Sequence, residues 1–152
     1  MKVVCLLSGG KDSLLNMANL IDLGHEVIAL ATISPTKSAQ QLIEVGEYSY
    51  TVTETAEVDS FVYQSIGTEI VPIIARGLGG QYPLYTLHIP PRAATPLNTE
   101  MIYEATKGEE DQVDEVEYLY QLLWRIKQDF PELQAVGSGA IQSNYQRLRF
   151  EH

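Results

Sequence analysis

Between Leu7 and Leu14 the chain reads Ser8-Gly9-Gly10-Lys11-Asp12-Ser13, a run of residue types that can all act on an anion or on its counter-ion. Adjacent glycines let a backbone turn sharply and aim its N–H groups inward. A helix opening just beyond them adds the partial positive charge of its N-terminus. Ser8 and Ser13 supply hydroxyl donors, Lys11 a full positive charge, and Asp12 a carboxylate able to hold a magnesium ion that bridges phosphate oxygens. Such a cradle suits a pyrophosphate. Spacing excludes two familiar phosphate loops. A G-x-x-x-x-G-K-[ST] loop would need a glycine where Cys5 stands, and Asp12 separates Lys11 from Ser13. A G-x-G-x-x-G fingerprint fails because Gly9 and Gly10 are adjacent and no third glycine opens the helix. The plain alternative is a Gly-Gly turn before a Ser- or Asp-capped helix.

A loop of this kind needs a strand before it and a helix after it. Residues 2–7, KVVCLL, form a short continuous apolar run, as expected of a parallel strand covered on both faces. Leu14, Ala18 and Ile21, with Leu15 and Met17 beside them, recur at helical spacing up to Gly24, whose type and place suit a helix C-terminus. Residues 27–33, VIALATI, predict a second buried strand, with Ser34-Pro35-Thr36-Lys37-Ser38 a turn or loop at its end. Residues 39–56 are weakly patterned, with "YSYTVTE" a possible strand. From Asp59 to Leu78, helical spacing is interrupted by Gly67 and Pro72, which predicts two short helices or a kinked one. "YPLYTLHIPP" reads as a further strand closed by Pro90 and Pro91. An acidic polar connection then leads to the clearest helix, where Val113, Val116, Leu119, Tyr120, Leu123, Ile126, Lys127 and Phe130 follow a 3.6-residue period up to Pro131. "LQAVGSGAI" is one more strand, broken at Gly137-Ser138-Gly139, and "NYQRLRFEH" has the look of a helix.

Strands alternating with helices predict an α/β fold: a doubly wound, mainly parallel, Rossmann-like sheet with helices on both faces, in one domain over residues 1–152. In such sheets ligands bind beyond the carboxyl ends of the strands, where the strand order reverses. The two Gly-Ser breaks, at Ser8-Gly9-Gly10 and Gly137-Ser138-Gly139, both fall at strand ends. If those strands are neighbours, the breaks face one crevice.

Composition narrows the setting. Ten basic residues against twenty acidic ones give a net charge of -10, which opposes a broad nucleic-acid surface, since that needs clustered Lys and Arg. The single cysteine, Cys5, excludes an internal disulfide and any CxxC redox or zinc unit, and its place in a strand predicts core packing. His25 follows a helix-terminal glycine, and His88 lies on a strand without a metal-ligating neighbour in sequence. No apolar run reaches the ~18 residues of a membrane span, and no secretory segment follows Met1. The expectation is a soluble cytoplasmic protein, with no membrane and no nucleic-acid partner.

With these residues in view, "SGGKDS" resembles the pyrophosphate loop of the adenylating ATP pyrophosphatases of the N type, which split ATP between its α and β phosphates. Further blocks, "LSGGKDSLLNM", "GHEVIALATISP", "DSFVYQSIG", "DEVEYLYQLL" and "GAIQSNYQRLRFEH", are similar in order to those of the diphthine–ammonia ligase family. The loop is specific to the superfamily; "GAIQSNYQR" and Tyr63-Gln64 point to the ligases. The resemblance implies an AMP-forming amide ligase using ATP and Mg2+. It would activate the carboxylate of diphthine, a modified histidine of translation elongation factor 2, as an adenylate, and ammonium would then displace AMP to give diphthamide. It further implies that Ser8, Gly9, Gly10, Lys11, Asp12 and Ser13 hold pyrophosphate and metal, Lys11 and Asp12 acting in catalysis and Asp12 as the metal ligand. Gly137 and Gly139 would let the nucleotide approach closely, and Tyr63, Gln64, Ser143, Tyr145, Gln146 and Arg147 would line the substrate side. Attack by ammonia calls for a carboxylate nearby, for which Glu115 and Glu117 are candidates. The chain departs from the family in having Asn144 where many relatives have an acidic residue, and the family continues into a further acidic, glycine-containing segment, so residues 1–152 are expected to be its N-terminal part.

Each assignment has a plainer counterpart. Tyr63 and Gln64 could pack and cap a helix, Arg147 could be solvated, and Glu115 and Glu117 could belong to a wet helix face. Three other functions compete: another adenylating pyrophosphate-loop enzyme of the tRNA-thiolation or lysidine type, disfavoured by Cys5 and the acidic charge; a non-catalytic ATP- or AMP-binding module; and a packed domain whose loop is only a turn.

Overall fold

The computed structural model describes residues 1–35, 42–46, 67–89 and 115–139. Tyr63, Gln64, Ser143, Tyr145, Gln146, Arg147, the "YSYTVTE" segment and the C-terminal "NYQRLRFEH" lie outside the described residues, as does the side chain of Glu115.

Five strands form one sheet. In chain order they are β1 (Lys2–Leu6), β2 (Glu26–Pro35), β3 (Leu42–Gly46), β4 (Leu84–Ile89) and β5 (Ala135–Gly137), and in space they run β3-β4-β2-β1-β5. β1 pairs in parallel with both β2 and β5, β2 pairs in parallel with β4, and β3 alone is antiparallel, against β4. The helices are α1 (Lys11–Asp22), α2 (Val71–Gly77, preceded by a 3₁₀ turn at Thr68–Ile70) and α3 (Glu115–Asp129).

The continuous apolar run of β1 is explained by cover on both faces. Val3, Cys5 and Leu7 pack with Met17 of α1 and with Val71 and Ala75 of α2, whereas Val4 joins Tyr118, Leu119, Leu122 and Ile126 of α3 on the other side. The sheet is thus doubly wound, as expected. Chain direction explains the crossing of faces. From β1 the strands step one way to β2 and β4 with α1 and α2 on one face; the chain then returns over the opposite face through α3 to place β5 on the far side of β1. The strand order reverses at β1, so the crevice such sheets use for ligands lies at the carboxyl ends of β1 and β5.

Several expectations change in detail. The buried side of α1 is Ser13 and Met17, with Leu14 and Leu20 half-buried, while Leu15 and Ile21 are exposed. Gly24, in left-handed backbone at φ 78, ends the helix as expected, its N–H donating to the Ile21 carbonyl and the His25 N–H to the Leu20 carbonyl. β2 continues through Ser34 and Pro35, paired with His88 and Ile89, where a turn was expected; Pro35 has no N–H to donate and closes the ladder. Pro72 occupies the first turn of α2, where its missing N–H costs no helical bond, so it starts the helix rather than interrupting it. β3 is a strand in a region that sequence left unassigned. Tyr120, placed on the periodic stripe of α3, stands on its exposed side and stacks on Trp124 with ring centroids 6.1 Å apart. α3 is fastened to the start of β4 where the Tyr85 hydroxyl donates to Asp129 Oδ2 at 2.9 Å and Arg125 Nε donates to the same oxygen at 3.0 Å. Among the described residues no helix is long and apolar enough to cross a membrane.

Candidate functional site

β1 ends at Leu6, Leu7 still donates its N–H to the Ala31 carbonyl of β2, and α1 starts at Lys11, so only Ser8, Gly9 and Gly10 make the turn between them. So short a link is possible because Gly9 takes φ 83, a conformation that costs other residues roughly 1–2 kcal/mol. Gly10 precedes the helix in extended backbone and has no side chain to cap it. The N–H groups of a helix's first turn have no partner within the helix, and Gly10 offers them no side-chain bond.

The two serines shape this turn. Ser13 donates its hydroxyl to the Gly10 carbonyl at 2.8 Å and accepts from the Ser8 N–H at 3.4 Å, while Ser8 Oγ accepts from the Gly10 N–H at 3.4 Å. Ser13, buried and within the first helical turn, therefore uses its one proton to close the loop on itself. Lys11 has the opposite character. Its side chain is 88% exposed, and its ammonium meets the neighbouring Asp12 carboxylate at 2.9 Å. An exposed pair of this sort adds little to stability, so a stronger ligand could part it at small cost.

The neighbouring strand supplies a second wall. β5 pairs with β1, Cys5 lying opposite Gly137, so the two glycine-containing breaks are adjacent as expected. The space that a side chain would take at these glycines is filled by α1. A Cβ on Gly139 would stand 2.7 Å from the backbone N and Cα of Ser13, and one on Gly137 would stand 2.5 Å from Leu20 Cδ1 and 3.0 Å from Asn16 Nδ2. Gly137 and Gly139 thus let β5 and its exit lie flat against the first turns of α1. A third wall comes from a part of the chain that the sequence did not connect to the loop. A Cβ on Gly9 would lie 2.5 Å from the Gly67 carbonyl oxygen, at the turn that opens the 3₁₀ segment.

Glu115 and Glu117 sit in the first turn of α3, on the sheet face opposite α1. Asp129, at the other end of that helix, bonds Tyr85 near the start of β4, which sends Glu115 and Glu117 toward the carboxyl edge of the sheet. They share that edge with the loop but approach it from the other face. Cys5 is fully buried under α1, and burial pushes its thiol up to about 11. His88 meets Glu44 of β3 at 3.0 Å, and His25 lies 3.3 Å from the N-terminal amine. No cluster of three potential metal ligands occurs among the described residues.

With this geometry in place, the similarity to known proteins becomes specific. Across all 152 of its residues the chain is 38% identical to a diphthine–ammonia ligase of Schizosaccharomyces pombe, of which it spans 21%. The corresponding figures are 37% identity and 50% of the protein for that of Danio rerio, and 36% and 48% for that of Homo sapiens. The chain matches the N-terminal part of the diphthine–ammonia ligase family. It spans about half the length of the Danio rerio and Homo sapiens ligases and about a fifth of the Schizosaccharomyces pombe one. No family model matches the chain. The α/β fold expected from the alternation of strands and helices is the fold observed.

Proposed function

We propose that this chain is the ATP-binding pyrophosphate-loop domain of an AMP-forming ligase that converts diphthine on translation elongation factor 2 to diphthamide, with ammonium as nitrogen donor. The observation that carries the proposal is the similarity to diphthine–ammonia ligases over the whole chain, from β1 to its last residue. The geometry supports it. An uncapped helix start, a glycine in left-handed backbone and an exposed lysine stand together at the switch point of a parallel sheet, where an anion is best received.

In this proposal Gly9, Gly10 and the first N–H groups of α1 hold the pyrophosphate portion of ATP. Ser8 and Ser13 keep the loop closed around it through the bonds they already make. Lys11 leaves Asp12 to neutralise charge that grows on the leaving group, and Asp12, so released, is the residue to hold Mg2+. When bound, Mg2+ would screen the phosphate oxygens and ease departure of pyrophosphate. ATP would turn the diphthine carboxylate into an acyl-adenylate, and ammonia would displace AMP. Gly137 and Gly139 keep the wall beside α1 free of side chains. Tyr63, Gln64, Ser143, Tyr145, Gln146 and Arg147 are proposed for the acceptor side. Glu115 and Glu117, at the carboxyl edge, are proposed to take the proton that ammonium must lose.

Calorimetric titration of ATP with magnesium tests the loop, using the wild type and the Lys11→Ala, Asp12→Ala double variant. Binding by the wild type alone is expected. AMP release in the presence of diphthine-bearing elongation factor 2 and ammonium then tests the reaction. Intact ATP binding without AMP release would favour a nucleotide-binding module, and equal binding by both proteins would remove the loop from the site.

A further inference from the structure

We infer that the turn at Gly67–Ile70 braces the Ser8–Ser13 loop in its anion-ready shape, with Gly67 and Thr68 as positioning residues; this rests on the pyrophosphate-loop assignment above. Neither residue belongs to the loop motif. The brace is visible in three contacts, two of which join distant parts of the chain.

First, Gly9 meets the turn backbone to backbone. A Cβ at Gly9 would lie 2.5 Å from the Gly67 oxygen, 3.2 Å from its carbonyl carbon and 3.4 Å from Ile70 Cγ1, so only a hydrogen on Gly9 fits against this carbonyl. Second, the carbonyl is held from within the turn. It accepts the Ile70 N–H at 3.3 Å, and Gly67 reaches this position through left-handed backbone at φ 85. Third, the turn is tied to the sheet. Thr68 is buried, and its hydroxyl stands 3.5 Å from that of Ser34, itself buried near the end of β2. A connected path therefore runs from the end of β2 through Thr68 and Gly67 to the middle of the anion loop.

Such a path has a physical use. A three-residue turn of small residues has many conformations open to it, and ordering it at the moment of binding would subtract from affinity. Ser8 and Ser13 restrain the turn at its two ends, and the Gly67 carbonyl restrains it in the middle. Its N–H groups are then set before the anion arrives, which is the requirement for electrostatic preorganisation. The side-chain charge does not need the same treatment, and Lys11 is correspondingly exposed.

The test is calorimetric titration of inorganic pyrophosphate with magnesium into the 152-residue chain and its Thr68→Val, Thr68→Ser, Gly67→Asn and Gly67→Val variants. The urea midpoint of each is measured alongside, and binding is read where every variant is folded. Thr68→Val keeps the side-chain shape and removes the hydroxyl; it is expected to weaken pyrophosphate binding roughly tenfold, with Thr68→Ser within about twofold of wild type. Gly67→Asn, which tolerates left-handed backbone, is expected to bind better than Gly67→Val. Should Thr68→Val fail to fold, Ser34→Ala removes the hydroxyl on the β2 side and carries the same expectation. A Thr68→Val protein that loses urea resistance yet binds pyrophosphate like wild type would overturn the brace and reduce the turn to ordinary packing. Lys11→Ala separates the two ideas. If wild type binds and Lys11→Ala does not, the anion loop stands and Thr68 judges the brace alone; if wild type does not bind, the loop is not an anion site and the brace falls with it.

Discussion

Substituting Gly9 by alanine asks whether the Gly67 turn really rests on the loop, and Gly24 provides an internal standard. Both glycines are left-handed, at φ 83 and φ 78. They differ in surroundings: a Cβ at Gly24 meets nothing within 4 Å, whereas one at Gly9 overlaps the Gly67 carbonyl. Gly24→Ala should therefore cost only the backbone term, roughly 1–2 kcal/mol. Gly9→Ala should cost that plus an overpacking term of about 1–3 kcal/mol, because the atom in the way is backbone and cannot rotate aside. The difference between the variants, about 1–3 kcal/mol, isolates the contact. It is large against a total stability of roughly 5–15 kcal/mol for a domain. Urea unfolding followed by circular dichroism measures it, since a slope of roughly 1–3 kcal/mol per molar turns that difference into a separation of about one molar between midpoints. Equal midpoints for the two variants would mean that nothing presses on Gly9, and the account of how the loop is held would be wrong.

Other outcomes follow from the same structure. Gly139→Ala places a methyl 2.7 Å from the Ser13 backbone, so it should destabilise by about 1–3 kcal/mol in the same urea assay. Leu122→Ala, at a fully buried position under the sheet, should cost about 2–5 kcal/mol, whereas Trp124→Ala on the exposed side of α3 should stay within about 0.5 kcal/mol. Cys5 should resist thiol reagents at neutral pH, because it is buried and its thiol is pushed up to about 11; rapid labelling of the native protein would contradict its place in the core. The Tyr85 hydroxyl, and after it Arg125, hold the Asp129 carboxyl below its usual range. That lowered value contributes stability above about pH 4 that is lost as pH falls through the folded pKa, so Tyr85→Phe should flatten the acid limb of the stability–pH curve. An unchanged acid limb would show that the bond does not persist in solution.

The parts of this molecule legible in its sequence are those whose cause is local. KVVCLL read as a strand covered on both faces because each of its faces does meet helices. The turn at Ser8-Gly9-Gly10 was legible because backbone in that shape demands glycine. Other features have causes elsewhere in the chain. Ser13 is polar and broke the apolar pattern of α1, yet it is buried because its hydroxyl closes the loop, which shifted the true inward side away from Ala18 and Ile21. β3 was missed because an edge strand of five residues, with Glu44 and Val45 exposed, has too little alternation to stand out. The contact of Gly67 with the loop gave no sign in the sequence, since it joins distant parts of the chain and is made by the Gly67 carbonyl oxygen, an atom that every residue type possesses. Side chains at 137 and 139 would run into α1, a reason for glycine there that lies in another element of the chain.

The pairing of β1 with β5 has a consequence for how this protein comes into being. β1 gains one of its two neighbours only when residues 135–137, much later in the sequence, have been made. Until then the edge of β1 that will receive β5 is open, and the Lys2 N–H, later bonded to the Gln134 side chain, has water for a partner. Pairings of such large sequence separation form late and slowly, because a long chain must close before the contact repays it. The Ser8–Ser13 loop stands on the strand that waits. Its motif is translated well before its second wall.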